Sequence, residues 1–212
     1  MRRPQFIARQ SWRPVGLLGQ VVGRIMAHET VAANRVALGL LDLRPGDSAL
    51  EIGFGPGRSL AAAMASVADG FVAGIDHSEA MLRIARKRNA SSLLAGRMEL
   101  TLGDSERLPY RDGRFNKIFA MHTIYVWPDP RRHFEEARRV LSDDGRLVVG
   151  YRPSDDRRFA EAFPSSVYHM RSIKDVENLI AEAGLREVQS TARRLSSTFC
   201  AWTVAYKPSS LP

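Results

Sequence analysis

The chain has 212 residues, 44% of them hydrophobic and 25% charged, with a formal net charge of +8. That length accommodates one α/β domain with a short extension and builds a continuous core unaided, while the composition excludes wholesale disorder and a fibrous architecture. A single cysteine, Cys200, excludes an internal disulfide and multi-thiol chemistry and fits a reducing cytoplasm, and the five histidines lack the close paired spacing of metal sites, so no metal is expected.

Residues 1–28 form a basic N-terminal extension, in which Arg2, Arg3, Arg9, Arg13 and Arg24 precede the first acid, Glu29. Its apolar stretch PVGLLGQVVGRIM is interrupted by Gln20 and Arg24 and falls short of the roughly 20 apolar residues that cross a bilayer. No signal-peptide cleavage pattern follows it. Peripheral contact with a membrane surface, a helical flap packed on the domain and a homodimer interface are the three readings left open for this segment.

The domain is expected over residues 29–212. From Glu29 to Leu41, apolar Val31, Leu38 and Leu41 recur near helical spacing, and Pro45-Gly46 then makes a turn. SALEI reads as a strand, GFGPG as a glycine loop, and the Ala-rich stretch after Arg58 as a helix. GFVAGID, MELTLGD and NKIFAMHT read as further strands, with the helix SEAMLRIARKRNA after the first of them. Phe134, Ala137, Val140 and Leu141 share one face of a helix that SDDG stops before the strand RLVVGY. Such alternation predicts a three-layer, Rossmann-like α/β fold with a mostly parallel sheet. A helix over Ile173–Ala183, capped by Ser172 and ended by Gly184, is followed by LREVQSTARRL and TFCAWTVAYK, which predict a C-terminal antiparallel hairpin. The irregular, polar segment 152–171, broken at Pro153 and Pro164, is a candidate lid above the carboxyl ends of the strands.

The chemistry-bearing pattern starts with Glu51, Gly53, Gly55 and Gly57 in EIGFGPG, where a strand passes into a helix. Glycines admit a close backbone approach, and a helix N-terminus offers unpaired N–H groups to a carboxylate. Asp76 ends the second strand, where a carboxylate can accept from both hydroxyls of a ribose. Asp104 ends the third and, with Ser105, can address the edge of an adenine, while Met81 can pack on its face. Each has a plainer reading, as a helix cap, a turn acid or a core methionine. The loop departs from the dinucleotide pattern G-x-G-x-x-G, which disfavours a nicotinamide-dependent oxidoreductase. The basic run RIARKRNASS lacks interleaved aromatics, so no nucleic-acid partner is expected.

ALEIGFGPG, GIDHSEAML, LGDSERLPYRDGRFNKIFAMHTIYVWPDP and EEARRVLSDDGRLVVG together resemble the successive motifs of class I S-adenosylmethionine-dependent methyltransferases, in the group of ubiquinone and menaquinone C-methyltransferases. The resemblance spans roughly Asp47 to Tyr151 and implies a seven-stranded fold. It also implies that Glu51, Gly53, Gly55 and Gly57 surround the methionine part of the cofactor, that Asp76 holds the ribose, and that His77 and Met81 border ribose and adenine. Asp104 and Ser105 would hold the adenine edge, and His122 would face the sulfonium. The stretch MHTIYVW stands where quinone methyltransferases carry an Arg-Asn pair, so the resemblance does not carry a quinone acceptor with it.

The expected activity is methyl transfer from S-adenosylmethionine to a small-molecule or lipid-like acceptor, with S-adenosylhomocysteine as product. The alternative is a non-catalytic protein that binds either compound and engages a membrane or a protein partner. His122, Tyr125 and His169 are the candidate catalytic residues, with Tyr168 behind them, for any acceptor that must lose a proton; Trp127, with Tyr125, is a candidate for the acceptor wall.

Overall fold

The computed structural model describes residues 30–162, 166–196 and 198–209. The basic extension, with its membrane and dimer readings, lies outside them. The first described helix is α1 (Val31–Leu41), followed by β1 (Ser48–Ile52), α2 (Arg58–Ser66), β2 (Phe71–Asp76), α3 (Glu79–Arg88) and a short α4 (Ala90–Leu94). Next come β3 (Met98–Leu102), β4 (Phe115–Met121), a 3₁₀ turn at Ile124–Val126, α5 (Pro130–Val140) and β5 (Leu141–Tyr151). A short α6 (Arg157–Ala162), α7 (Ile173–Glu182) and the strands β6 (Arg186–Leu195) and β7 (Thr198–Tyr206) complete the chain.

The seven strands form one sheet in the order β3-β2-β1-β4-β5-β7-β6. Strands β1 to β5 run parallel, and β7 pairs antiparallel with both β5 and β6. The order reverses between β1 and β4, which opens a crevice beyond their carboxyl ends. That crevice is where the fold leaves room for a ligand.

Alternate strand residues feed two cores. Leu50, Ile52, Ile118 and Val149 pack with Phe134 and Val140 of α5 and Ile180 of α7. Ala49, Phe119 and Val148, facing the other way, pack with Ala37 and Leu41 of α1, Leu60 of α2 and Ala85 of α3. The three layers follow from this period of two, each fully buried Leu, Ile or Phe contributing about 1.5–3 kcal/mol before entropy is charged against it. Trp202 of β7, fully buried, joins the second core and donates its indole N–H to the Ala33 carbonyl at 3.1 Å.

Local signals place the helix ends. Ser78 caps α3 by accepting from Met81 N, and Arg86, Lys87 and Arg88 fill its last turn against the helix dipole. Asp129 caps α5, with Pro130 in the first turn, and Ser172 with Asp175 makes a reciprocal capping box on α7. Two features differ from the sequence reading by more than a residue or two at an element's end. Strand β5 begins at Leu141 rather than Arg146, because Leu141 pairs with Phe115 before the ladder shifts register and resumes at Lys117–Arg146. The SDDG segment is therefore an irregularity inside the strand. The segment Ala90–Leu94 is a separate short helix, of which the sequence reading took in only Ala90, as the end of the preceding one.

Candidate functional site

The carboxyl ends of β1, β2, β4 and β5 open into one cavity of about 950 Å³. Glu51 lies within β1 and is 1% exposed. Its Oε1 accepts from the Ser59 hydroxyl of α2, and its Oε2 is buried with no partner. Burial, opposed by the Ser59 hydrogen bond, pushes the Glu51 carboxyl well above its ordinary value. An orphaned carboxylate oxygen at a cavity wall is a site for a donor, and a cationic donor would restore its charge.

Beyond it the chain turns through Gly53, Gly55 and Gly57, all at positive φ. At Gly53 a Cβ would stand 2.2 Å from Thr123 Cγ2, whereas at Gly55 nothing lies within 4 Å and the backbone borders open cavity. Gly57 does not line the cavity. A Cβ there would meet Ala85 Cβ at 2.8 Å and Asn89 Nδ2 at 2.7 Å, so this glycine lets α2 approach α3. The three glycines thus divide their roles: Gly53 admits Thr123, Gly55 faces the cavity and Gly57 seats α2 on α3.

Asp76, at the end of β2 and 8% exposed, accepts from Gly55 N and Ser78 N, both at 2.8 Å. It ties the glycine loop to the cap of α3, and burial raises its carboxyl in spite of those two bonds. His77 and Met81 line the same side of the cavity. Asp104 and Ser105 follow β3. Asp104 is exposed and accepts from Glu106 N, whereas Ser105 is buried and pairs with His133 Nδ1 at 2.8 Å. His133 stacks on Trp127 with ring centroids 4.3 Å apart and interplanar angle 10°, and its Nε2 has no hydrogen-bond partner. Nothing in the sequence pairs Ser59 with Glu51 or His133 with Ser105, since each contact joins positions brought together only by the fold.

On the far side, His122 holds a left-handed backbone at φ 58, and its N–H extends the β4–β5 ladder by donating to Gly150 O at 2.8 Å. A non-glycine residue there is uncommon and marks strain held by its surroundings. Its Nδ1 lies 3.0 Å from Tyr125 Oη, which also accepts from the Arg152 backbone N–H. We assign the tyrosine proton to that Nδ1 contact, which puts the ring proton of neutral His122 on Nε2. Burial raises the Tyr125 hydroxyl far above its ordinary value. Residues 152–162 and 166–171 border this end. Ser154 N donates to Arg171 O, the Arg171 guanidinium donates to the carbonyls of Ile124, His169, Trp127 and Pro128, and His169 N donates to Tyr125 O. Phe159 and Tyr168 line the cavity, whereas His169 is exposed and not on its wall.

Burial, then the Arg152 charge, lowers His122 from 6.5 to about 4, and burial lowers His133 to about 4 against the pull of Asp104 and Asp129. Both rings are neutral in the fold at pH 7. Between pH 6.5 and 4 the unfolded chain binds the additional protons, so this contribution, present above 6.5, is lost as pH falls through that window. Each ring accounts for about 3 kcal/mol. Buried Glu51 acts in the opposite sense, so the effect is read by difference: urea midpoints between pH 7 and 4.5 should fall less steeply in His133→Gln than in the wild type. Equal slopes would show that His133 is not held neutral.

Among the described residues no group of three His, Cys, Asp or Glu could hold a metal ion, and no helix is long and apolar enough to cross a membrane.

A mostly parallel seven-stranded sheet with its cavity at the switch point, walled by a glycine loop and two buried acids at adjacent strand ends, defines a nucleoside-binding α/β protein. Residues 50–149 match the family described as "Methyltransferase domain". The uncharacterized methyltransferase YdaC of Bacillus subtilis (strain 168) is 26% identical over 89% of this chain and 98% of its own length. The 27-O-demethylrifamycin SV methyltransferase of Amycolatopsis mediterranei (strain S699) is 36% identical over 57% of this chain, and the match spans only 44% of that relative. The complex between the Haloferax volcanii Trm112 methyltransferase activator and the putative methyltransferase contains a chain with a TM-score of 0.76 at 17% identity, covering 98% of this chain and 96% of that one. The matched region is a class I S-adenosylmethionine-dependent methyltransferase domain, whose cofactor the partnerless Glu51 oxygen and the open backbone at Gly55 fit.

Proposed function

We propose that the chain transfers a methyl group from S-adenosylmethionine to a small-molecule or lipid-like acceptor bound in the same cavity. The observation that carries this reading is the buried, partnerless Oε2 of Glu51, placed to accept from the ammonium of an amino acid tail. In the same reading Asp76 accepts from the ribose hydroxyls, Gly53 and Gly55 admit the methionine portion, and His77 and Met81 border ribose and adenine. Asp104 and Ser105 hold the adenine edge. Gly57 contributes indirectly by seating α2. A relative named for demethylrifamycin SV supports an acceptor that is a small molecule rather than a macromolecule.

Bound cofactor supplies an electrophilic methyl group on a sulfonium. The chain supplies alignment and a water-poor wall: Phe159 and Tyr168 of the lid segment close the acceptor end above Tyr125 and Met121. A ring lowered to about 4 and already protonated on Nε2 is a poor proton acceptor, and a phenol raised by burial stays protonated. His122 and Tyr125 therefore act as a fixed hydrogen-bonded wall, with His122 offering an N–H donor. Exposed His169 contributes its backbone bond to Tyr125.

Calorimetric titration with S-adenosylmethionine and S-adenosylhomocysteine, followed by transfer of labelled methyl to a panel of small phenols, alcohols, amines and acids, tests the proposal. Binding of both ligands and label in at least one acceptor is expected; folded protein that binds neither overturns it. With such an acceptor, His122→Gln should lower kcat by about tenfold or less and leave the pH dependence of kcat between 6 and 9 unchanged. Loss of an inflection in that range would restore the histidine to a proton-removing role.

A further inference from the structure

Among the described residues, Arg152 brings to the acceptor end of the cavity a positive charge that neither the glycine loop nor the adenine side requires. Arg152 directly follows β5, beside His122, and lines the cavity. Its guanidinium lies 3.7 Å above the Phe159 ring, and one terminal nitrogen is 3.3 Å from Asp156 Oδ2. Its Nε is buried and has no hydrogen-bond partner. Arginine presents its donors as a planar fork, and the edge formed by Nε with a terminal nitrogen matches the two oxygens of a carboxylate. A buried donor left without an acceptor is costly, so a wall that keeps one is arranged around a ligand that completes it.

We propose that Arg152 is an acceptor-selecting residue that pairs with a carboxylate on the methyl acceptor, so that the substrates are apolar monocarboxylic acids. This rests on the methyl-transfer reading above and adds the substrate class to it. Charge balance favours a monoanion. The cofactor brings a sulfonium into the same cavity, its own carboxylate and ammonium are matched at the Glu51 end, and at the acceptor end Asp156 already offsets part of the Arg152 charge. A dianion would need a second cation, and the other guanidinium lining the cavity, that of Arg58, stands at the glycine-loop end, where α2 begins. Met121, Tyr125, Phe159, Tyr168 and Leu195 supply the apolar surface for the rest of the molecule.

Saturation-transfer NMR with competition, on the full chain with and without saturating S-adenosylhomocysteine, measures binding of benzoate, phenylacetate and octanoate against their primary amides. The acids should bind about tenfold or more tightly than the amides in the wild type. That ratio should collapse to near one in Arg152→Gln and recover in part in Arg152→Lys, with S-adenosylhomocysteine affinity unchanged in both. Equal binding of acids and amides, binding of neither, or a preference that survives Arg152→Gln overturns the proposal and leaves Arg152 as a fastening of the lid to Phe159 and Asp156. Failure to bind S-adenosylhomocysteine would instead remove the methyl-transfer reading, while the acid-to-amide ratio would still report on the anion subsite.

Discussion

Asp76→Ala is expected to weaken S-adenosylhomocysteine binding by about 100-fold or more, measured by calorimetry. Two hydrogen bonds from ribose hydroxyls to a charged acceptor contribute roughly 1.5–3 kcal/mol each, and the product of their loss is of that order. The substitution reaches further than the ribose, because Asp76 also receives Gly55 N and Ser78 N. Removing the carboxylate frees the glycine loop and the cap of α3 together. Asp76→Asn keeps the shape and one acceptor oxygen and should fall between wild type and Ala. Binding by folded Asp76→Ala within threefold of wild type would displace Asp76 from the ribose.

Trp202→Ala should cost about 3–5 kcal/mol of stability by urea denaturation, the range for removing a fully buried large side chain. The ring fills the space between β7 and α1, and its N–H satisfies the Ala33 carbonyl. Because Thr30, Ala33 and Asn34 of the α1 region border the cavity, the loss should also weaken cofactor binding. Trp202→Phe, which keeps most of the volume but not the donor, should lose a smaller share. A cost under 1 kcal/mol for Trp202→Ala would mean that α1 docks through other contacts.

Most of the sheet is legible in the sequence because both cores are written with a period of two and every parallel strand is followed by a strong turn or cap. SALEI, GFVAGID and NKIFAMHT lie on strands for that reason, and the terminal hairpin is visible because no helical run separates its two apolar stretches. The start of β5 is hidden: SDDG has the composition of a turn, and only the pairing of Leu141 with Phe115 draws it into the strand. The acids of the site are visible at strand ends, since their spacing is local. Their supports are not. Ser59, Thr123 and His133 reach Glu51, Gly53 and Ser105 across the fold, and Arg152 looks like one of many arginines until its partnerless Nε and the Phe159 ring are seen together. His169 stands beside Tyr168 in sequence, but in an irregular segment no period says which neighbour turns inward, and Tyr168 takes the cavity side.

The final strand of the sheet bears on the behaviour of the protein in concentrated solution. β6 ends the strand order, and Arg186, Glu187, Arg193 and Arg194 on it are exposed, with a register shift between Arg186 and Gln189. An edge with this many charges and a broken ladder is a poor template for another chain, since each added strand would bury guanidinium groups and meet mismatched amides. Replacing Arg193 and Arg194 with β-branched residues would therefore open this edge of the sheet to strands from other copies of the chain, a gain of aggregation.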